Sequence, residues 1–416
     1  MSDSWLDLPP DTPFGVGNLP YGVFSTPDES PRVGVAIGDH VIDLAPVAAN
    51  EGLDGAHTFE APSLNGFMAL GRPAWRAVRQ WLTELVTHPA YASVVEPHLV
   101  PAADVRLHLP FEVADYVDFY ASEHHASNVG RIFRPDGEPL TPNWRHLPIG
   151  YHGRAGTIVV SGTDVVRPHG QRKAPNDAAP SYGPSRRLDI EAEVAYIVGV
   201  PTDLGDSVSV DAFDDHVFGA CLLNDWSARD IQAWEYVPLG PFLGKSFATS
   251  VSPWVVPLDA LDAARIEVPG QDPAPLPYLR GRGDAPGFDL RLEVRINGTL
   301  VAEPPYAEMY WSPAQMLAHM TVNGASLRTG DVFASGTVSG PDAGQRGSLL
   351  ELTWNGTEPI TLADGTTRGF LEDGDEVSIS AWAPAVGGGR LGFGQVVGRV
   401  QPARPTARPA GGDAGS

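Results

Sequence analysis

The chain has 416 residues and a formal net charge of −23 at pH 7, with 51 acidic against 28 basic side chains. This negative charge, together with the absence of an apolar run of about 18 residues, argues against nucleic-acid partners and against membrane association. The single cysteine, Cys221, excludes an intrachain disulfide and a thiolate zinc site, and with an acidic N-terminus that lacks a secretory signal pattern it leads us to expect a cytoplasmic protein.

The length exceeds that of most single domains, so we expect two domains. Residues 1–115 are predicted to form a small β-rich domain. Within it, residues 32–44 alternate apolar side chains around a Gly-Asp turn, which is typical of a hairpin. Residues 73–86 are predicted to be helical, because a proline opens the segment and apolar residues recur along one face.

Residues 116–402 are predicted to form a larger, strand-rich domain. We expect strands at residues 188–199, 290–296, 348–354 and 376–382. A helix is expected to follow Ser312, because Ser312 and Gln315 have the spacing of a capping box and a proline occupies the first helical position. The polar residues 168–185 are predicted to form a long loop, and residues 403–416 a disordered tail.

Residues 118–126 carry a carboxylate, a phenol and two histidines, namely Asp118, Tyr120, His124 and His125. A histidine beside a metal ion is suited to act as a general base on water. This segment is therefore a candidate catalytic site. The alternative is that the two histidines lie at the surface or cap a helix.

Two glutamates, Glu191 and Glu193, occupy alternate positions of a predicted strand, so both point to one face. That face continues with Ala195 and Ile197, which indicates burial. Two buried carboxylates need a compensating cation, and an oxygen-rich pair suits a hard divalent ion such as Ca²⁺ or Mg²⁺. The alternative is an exposed strand end with both glutamates solvated.

A second polar pattern begins within the sequence N-D-W-S-A-R-D-I-Q. If a helix begins near Asp225, then Asp225, Arg229, Gln232 and Tyr236 fall on one stripe. A stripe of acid, guanidinium, amide and phenol is unlike a packing face. It suits a metal at its acidic end and a carbonyl or anionic substrate along the rest. The alternative is an exposed face with a weak ion pair.

Lys245 lies in a glycine-bounded turn, with Thr249 close by in sequence. The glycines Gly240 and Gly244 do not have the spacing of a phosphate-binding loop, which excludes a nucleotide site of that kind. Lys245 is suited to polarise a carbonyl oxygen, with a solvated lysine as the alternative. The glycines of residues 387–394 precede no βαβ unit, so a dinucleotide site is excluded as well.

Taken together, these segments resemble the fumarylacetoacetate hydrolase family over residues 12–402. The resemblance rests on D-Y-V-D-F-Y, N-V-G-R-I-F-R, P-N-W-R-H-L-P-I-G-Y-H-G-R, L-D-I-E-A-E, L-N-D-W-S-A-R-D-I-Q, L-G-K-S-F and A-S-G-T-V-S-G-P followed by L-L-E-L. Several long motifs that occur in the same order as in the family are far more specific than any single motif. The resemblance implies a mainly β (α+β) fold, with a small N-terminal SH3-like β-barrel, a larger C-terminal mixed β-roll, and a homodimer.

The same resemblance implies the residues of the site. A Ca²⁺ or Mg²⁺ ion would be held by Asp118, Glu191, Glu193 and Asp225. A second, Mg²⁺-type position would draw on Asp225, Lys245 and Thr249. The substrate contacts correspond to Tyr120, Arg134, Tyr151, Gln232, Tyr236 and Thr337. The catalytic base corresponds to His125, not His124, with Glu351 as its partner, and the oxyanion would be stabilised by Arg229, Gln232 and Lys245.

The implied activity is metal-dependent hydrolysis of the carbon–carbon bond of 4-fumarylacetoacetate to fumarate and acetoacetate, the last step of tyrosine and phenylalanine catabolism. The implied partner is thus a small dicarboxylate diketone. Relatives in the wider family decarboxylate oxaloacetate, hydrate dienoates or cleave acylpyruvates, and they are typically shorter chains. A non-catalytic ligand-binding protein is the alternative from another class; metal that copurifies without turnover would favour it.

Overall fold

Strands provide most of the regular structure of this chain. The structure, a computed structural model, describes residues 4–9, 11–282 and 286–405. Its N-terminal part contains, in chain order, β1 (Tyr21–Ser25), β2 (Arg32–Ile37), β3 (His40–Asp43), α1 (Leu44–Glu51), α2 (Asn65–Met68), α3 (Arg72–Thr87), α4 (Ala92–Val95), β4 (Leu99–Pro101) and β5 (Arg106–His108).

The chain from residue 116 onward continues with β6 (Tyr116–Phe119), α5 (Glu123–Phe133), β7 (Gly150–His152), β8 (Ile158–Val160), β9 (Val165–Val166), β10 (His169–Arg172), β11 (Ser181–Pro184), β12 (Leu188–Asp189), β13 (Ala192–Val198), α6 (Phe213–His216), β14 (Val217–Asp225), β15 (Ser227–Ala228), α7 (Arg229–Glu235), β16 (Thr249–Val251) and β17 (Trp254–Pro257). It ends with β18 (Arg265–Ile266), β19 (Gly287–Phe288), β20 (Arg291–Ile296), β21 (Thr299–Ala302), α8 (Pro313–Thr321), β22 (Val332–Ala334), α9 (Leu349–Leu352), β23 (Ile360–Thr361), β24 (Thr367–Arg368), β25 (Glu376–Pro384) and β26 (Arg390–Gln401).

One large sheet joins the two parts of the chain. Its strands follow the order β4-β3-β2-β1-β17-β14-β13-β22-β6-β7, with β5 beside β1 and β16 between β14 and β8. The pairs β6–β22 and β8–β16 are parallel and the others antiparallel, so the sheet is mixed. A second sheet has the order β21-β20-β25-β26-β9. The predicted mainly β architecture is therefore confirmed.

Strand β13 divides the buried apolar side chains into two cores, because successive residues of a strand point to opposite faces. Val194 and Tyr196 pack in one core with residues of β20 and β25. Ala195 and Ile197 pack on the other side, against β1 to β3 and α3. Glu193 shares this second face, as the sequence predicted, and every residue of β13 is buried.

Several elements lie where the sequence predicts them. The hairpin of β2 and β3, the helix α3, and the strands β20 and β25 correspond to the expected segments. Helix α8 begins with the expected capping box, in which the Ser312 side chain accepts the backbone N–H of Gln315 and the Gln315 side chain accepts that of Ser312. The burial of Cys221 also agrees with its interpretation as a small core residue.

The prediction of a long loop at residues 168–185 is wrong, because β10 and β11 form an antiparallel hairpin there. Most of its side chains are at least partly exposed, and the buried positions are Gly170 and Gly183. A hairpin whose inward-facing residues are glycines carries no alternation of apolar and polar side chains. The polar composition of this segment therefore concealed two strands.

The strand predicted at residues 348–354 is also wrong, because residues Leu349–Leu352 form the short helix α9. Ser348 caps this helix, and its side chain accepts the backbone N–H of Glu351. The Ser-x-x-Glu spacing is a helix-start pattern that outweighs the local apolar run. The strand predicted at 188–199 is present but interrupted, since β12 pairs with β15 and β13 with β14.

Two predictions about the organisation of the chain stay open. The division between residues 1–115 and 116–402 stays a prediction, and within the described residues the pairing of β1 to β5 does not close into a ring. The predicted tail, residues 403–416, lies outside the described residues from residue 406 onward. Among the helices of the described chain, none combines the length and apolar character needed to cross a membrane.

Candidate active site

Four carboxylates meet at the centre of the large sheet. Asp118 lies on β6, Glu191 precedes β13, Glu193 lies on β13 and Asp225 ends β14. All four are buried, and each offers an oxygen that lies within 4.8 Å of the others. The strand order β14-β13-β22-β6 explains the convergence, because it places these positions in neighbouring strands.

The position of Asp225 corrects the helix predicted at this point. Asp225 is the last residue of β14, where it faces Thr249 of β16, and α7 begins only at Arg229. The physical reason is the fully buried, strand-forming run that precedes Asp225 in the sheet. The acid therefore reaches the site from a strand, whereas Arg229 and Gln232 reach it from the helix.

The residues of this cluster fit a divalent cation. Burial raises the pKa values of Asp118 and Glu193 well above their usual ranges, and the neighbouring carboxylates add to the effect. Within the described residues, one oxygen of each of these two side chains is buried without a hydrogen-bond partner. Buried anions without partners are costly, and a set of carboxylate oxygens matches the donors that Ca²⁺ and Mg²⁺ prefer.

Lys245 provides a positive charge at one side of the cluster. Its ammonium group donates hydrogen bonds to Glu191 and to Asp225, the latter over 2.7 Å. Burial by itself would lower the pKa of Lys245, but the two carboxylates raise it above its usual value. Thr249 donates its hydroxyl to Asp225 over 3.0 Å. Asp225, Lys245 and Thr249, the predicted second metal position, are thus adjacent.

His125 and Glu351 form a buried pair beside the cluster. His125 Nδ1 lies 2.6 Å from Glu351 Oε2, and Nε2 lies 3.9 Å from Glu191 Oε1. The side chain of Ser122 caps helix α5 at the backbone N–H of His125, which fixes the start of the helix that carries the ring. By contrast, the ring of His124 is partly exposed, and its Nε2 lies 3.6 Å from Glu308 Oε2, a carboxylate that is not part of the cluster of four. The pairing favours His125 as the base.

The hydrogen bonds around Glu351 determine which nitrogen of His125 carries a proton. Burial alone would raise the pKa of Glu351, but His125 and donated hydrogen bonds hold it below its usual value. The donors besides His125 are Asn128, Ser339 and Ser348, at 3.0, 3.0 and 2.9 Å. A charged carboxylate only accepts hydrogen bonds, so Nδ1 carries a proton, and in the neutral ring Nε2 is the nitrogen with the lone pair.

Arg229 joins the carboxylate cluster to Gln232. Its Nε donates to Asp189 over 2.8 Å, and Nη2 lies 2.7 Å from Glu191 Oε1. Its Nη1 donates to the side-chain oxygen of Gln232 over 3.2 Å. The amide –NH₂ of Gln232 is thereby turned away from Arg229, which leaves it as a donor for a bound oxygen.

The structure brings most of the predicted substrate residues to this centre. The ring of Tyr120 stands edge-on to that of His125, with centroids 5.3 Å apart, and Tyr151 faces Asp118 across β6 and β7. Thr337 follows Gly336, whose N–H donates to Glu193. In the described part of the chain, the Thr337 hydroxyl is buried without a hydrogen-bond partner and is available to a ligand. The Tyr151 hydroxyl is buried beside the carboxylate of Asp118.

Two predicted substrate residues lie further out. Arg134 follows the last residue of α5, is exposed, and donates to the carbonyl of Pro139 over 2.7 Å. Tyr236 follows the last residue of α7 and is 49% exposed. The described contacts join neither side chain directly to the carboxylates or to His125, so their roles stay predictions.

Sequence reasoning missed the residues that support the site. Asn128, Ser339 and Ser348 hold Glu351, and Asp189 holds Arg229. The capping pattern of Ser348 was visible in the sequence and would have revealed α9. No local pattern marks the others, because each partner lies far away along the chain.

Comparison with known proteins agrees with this geometry. Residues 17–110 match the family model described as fumarylacetoacetase N-terminal, and residues 115–401 match fumarylacetoacetate hydrolase C-terminal. The fold resembles that of a fumarylacetoacetate hydrolase from Exiguobacterium antarcticum, with a TM-score of 0.55 at 19% identity, over 93% of this chain and 100% of that one. At this identity the likeness concerns the fold alone.

Two similar curated relatives are full-length matches. The chain is 47% identical to the fumarylacetoacetase of Homo sapiens and 48% identical to that of Caenorhabditis elegans. Each alignment covers 96% of this chain and 99% of the relative. Because two family models and full-length relatives agree, the chain belongs to the fumarylacetoacetate hydrolase family.

Proposed function

We propose that this chain hydrolyses the carbon–carbon bond of 4-fumarylacetoacetate, with fumarate and acetoacetate as products. The observation that carries the proposal is the His125–Glu351 pair, which places a general base next to a buried group of carboxylates suited to a divalent cation. Relatives nearly half identical over 99% of their length are named for this activity.

The first step uses the free nitrogen of His125. Nε2 accepts a proton from a water molecule, and the resulting hydroxide oxygen forms a bond to the carbonyl carbon at the fumaryl end. Glu351 keeps the ring in the productive orientation and stabilises its positive charge after the transfer, as an acid does in a hydrolytic triad. Neither a serine nor a cysteine nucleophile is needed.

The second step breaks the carbon–carbon bond. Hydroxide addition leaves negative charge on the former carbonyl oxygen, and Arg229, Gln232 and Lys245 are placed to stabilise it with positive charge and N–H donors. The bond to the neighbouring methylene carbon then breaks, and its electron pair stays on that carbon. The proton held by His125 returns to this carbon, which completes fumarate and acetoacetate.

The metal site is proposed to consist of Asp118, Glu191, Glu193 and Asp225. We propose Ca²⁺ or Mg²⁺ as the ion, with a second, Mg²⁺-type position at Asp225, Lys245 and Thr249. When bound, such an ion would polarise the diketone oxygens and lower the energy of the departing carbanion.

The substrate is proposed to be held by side chains around this centre. The proposed contacts are Tyr120, Arg134, Tyr151, Gln232, Tyr236 and Thr337. Arginine pairs strongly with carboxylate, and phenols donate to carboxylate and carbonyl oxygens. These local groups must outweigh the repulsion that a net charge of −23 exerts on a dianion.

Further details of the proposal rest on the family resemblance. We propose a homodimer that acts in the cytoplasm in the last step of tyrosine and phenylalanine catabolism. We also propose the division into domains at residue 115, with an SH3-like barrel before it and a β-roll after it.

The direct test is turnover of fumarylacetoacetate by the purified protein, followed by loss of its near-ultraviolet absorbance. The assay is run as purified, after EDTA, and after re-addition of Mg²⁺ or Ca²⁺. We expect rapid, chelator-sensitive loss, with fumarate and acetoacetate identified as products. Absence of turnover in the metal-replete sample would contradict this substrate and direct the search to other diketo acids or acylpyruvates.

A further inference from the structure

A buried carboxylate outside the proposed metal, base and substrate groups connects two parts of the active site. Asp189 is 0% exposed and ends β12. Its Oδ2 accepts hydrogen bonds from Arg229 Nε over 2.8 Å and from the backbone N–H of Leu350 over 3.0 Å. Its Oδ1 accepts the backbone N–H of Leu349 over 2.7 Å. One side chain thus holds both α7 and α9.

The two elements that Asp189 joins carry different parts of the proposed chemistry. Helix α7 begins at Arg229, which is placed to stabilise the oxyanion. Helix α9 carries Glu351, which orients the base His125. Helix α9 has only four residues, so it makes few hydrogen bonds of its own and depends on outside partners for its position.

We propose that Asp189 is a positioning residue that holds Arg229 and the Glu351-bearing helix in fixed relation. This inference rests on the proposed function and adds to it a residue that need not touch the substrate. Displacement of catalytic groups by about 1 Å can lower a rate about 10²-fold, so a rigid link between the two groups matters for turnover.

Orientation, rather than charge neutralisation alone, is what Asp189 contributes. Arg229 already lies 2.7 Å from a second carboxylate, that of Glu191. The two oxygens of Asp189 accept from the guanidinium and from three backbone N–H groups at once, those of Ile190, Leu349 and Leu350. An amide at this position would have one accepting oxygen and a donating –NH₂ group, which would face the N–H of Arg229 or of α9. It could not hold both elements in place.

The test compares Asp189→Asn with a matched control, Asp375→Asn. Asp375 is also a buried aspartate, paired with Arg368 and bonded to the backbone N–H of Glu372, and its described hydrogen-bond partners include no site residue. We expect Asp189→Asn to lower kcat about 10²-fold while KM changes less than about threefold. Asp375→Asn should lower the unfolding temperature and leave kcat within about twofold.

A second pair of variants separates positioning from charge and from folding. Asp189→Glu keeps the charge but moves the carboxylate by one methylene, so we expect kcat to remain low. In the double variant Asp189→Asn/Arg229→Gln the loss should be less than the product of the two single losses, because the part of the effect that passes through Arg229 is already absent while the part that passes through α9 remains. Three outcomes would overturn the positioning role. They are fully additive losses in the double variant, full activity of Asp189→Glu, and failure of both Asp189→Asn and Asp189→Glu to fold.

The outcome also distinguishes this inference from the proposed function. Turnover by the unaltered protein is measured first, and its absence would contradict the proposed function. Turnover by the unaltered protein together with an unchanged kcat in Asp189→Asn would contradict only the role of Asp189.

Discussion

The imidazole of His125 and the carboxylate of Glu351 are 226 positions apart in the chain, yet Nδ1 lies 2.6 Å from Oε2. The first residue comes from α5, capped by Ser122, and the second from α9, capped by Ser348. Both side chains are buried, and the pKa of Glu351 lies below its usual value. The pair therefore combines a carboxylate whose charged form is favoured with an imidazole whose neutral form accepts a proton at Nε2.

This pairing predicts which of two neighbouring histidines is needed for turnover. His125→Gln should lower kcat about 10²-fold or more, because a general base typically contributes that much. His124→Gln is the matched control, and its kcat should stay within about threefold of the unaltered protein, since the ring of His124 is partly exposed and faces Glu308. Steady-state kinetics on both variants check the prediction, and a near-normal rate in His125→Gln would refute the assignment of the base.

The carboxylate cluster predicts opposite effects of one substitution with and without metal. A glutamine in place of Glu193 can still accept the N–H of Gly336, and it removes an acid whose ionisation is disfavoured by burial and by the neighbouring carboxylates. In EDTA, Glu193→Gln should therefore unfold at the same or a higher temperature than the unaltered protein. With excess Mg²⁺ or Ca²⁺, the unaltered protein should gain stability while the variant gains less, because the stabilisation of the folded state increases with the logarithm of its affinity for the ion.

The control for this experiment is Glu376→Gln, which replaces a partly exposed acid outside the cluster that pairs with Arg399. Its response to metal should equal that of the unaltered protein. Elemental analysis after dialysis provides a second measurement. Equal metal content and equal metal-dependent stabilisation in Glu193→Gln would show that this carboxylate does not bind the ion.

The raised pKa of Glu193 predicts how pH changes the stability of the metal-free protein. Its folded pKa lies well above the usual glutamate value of 4.5, so the folded state holds the proton more tightly than the unfolded state. The stabilisation that results is complete below about pH 4.5 and is lost as pH rises toward the folded pKa. In EDTA, the difference in unfolding free energy between Glu193→Gln and the unaltered protein should grow in favour of the variant as pH rises above about 4.5.

Urea unfolding of both metal-free proteins at several pH values measures this difference. Comparing the two proteins removes the contribution of groups with lowered pKa values, such as Glu351, which act in the opposite direction in both. A difference that does not change with pH would mean that Glu193 is ionised in the folded, metal-free state.

The packing of α5 predicts an unusual result for a glycine in a helix. A Cβ atom added at Gly130 would lie 1.9 Å from the carbonyl oxygen of Pro139. In most helices Gly→Ala raises stability by about 1 kcal/mol, but here the clash involves backbone that cannot rotate away. Gly130→Ala should therefore lower the unfolding free energy by about 1–3 kcal/mol, as overpacking does.

The matched control is Gly137→Ala, because a Cβ at Gly137 would have no neighbour closer than 3.7 Å. Its unfolding free energy should change by less than about 0.5 kcal/mol. Since α5 carries His125, kcat of Gly130→Ala should fall as well, whereas kcat of Gly137→Ala should not. Stabilisation by Gly130→Ala would mean that α5 and the segment at Pro139 are not packed as described.

Much of the fold was predictable where the signal is local. Alternating apolar residues identified the strands around β13, and a capping box identified α8. Prediction failed where the local sequence pattern was weak or where it was compatible with both a strand and a helix. The hairpin of β10 and β11 turns glycines inward, and α9 begins with a capping serine in a run that otherwise resembles a strand.

The chemistry of the site was predictable by residue type and by family motif, and its placement was predictable only in part. The spacing of Glu191 and Glu193 indicated a shared face; Glu191 lies just before β13 and Glu193 within it, and both side chains join the carboxylate cluster. The prediction that Asp225 lies on a helix is wrong. The buried strand β14 extends to Asp225, and helix α7 begins only at Arg229. Periodicity could not locate this change from strand to helix.

By itself, the sequence determined the types of group available: an excess of acids, paired glutamates, one cysteine, and histidines beside a carboxylate. The tertiary structure alone decided which of these groups meet. Strand order brings Asp118 to the other three carboxylates, and Asp189 reaches residues 40 and 160 positions away. Hydrogen bonds between segments so far apart leave no period or spacing in a sequence, because the packing of sheets and helices sets those distances.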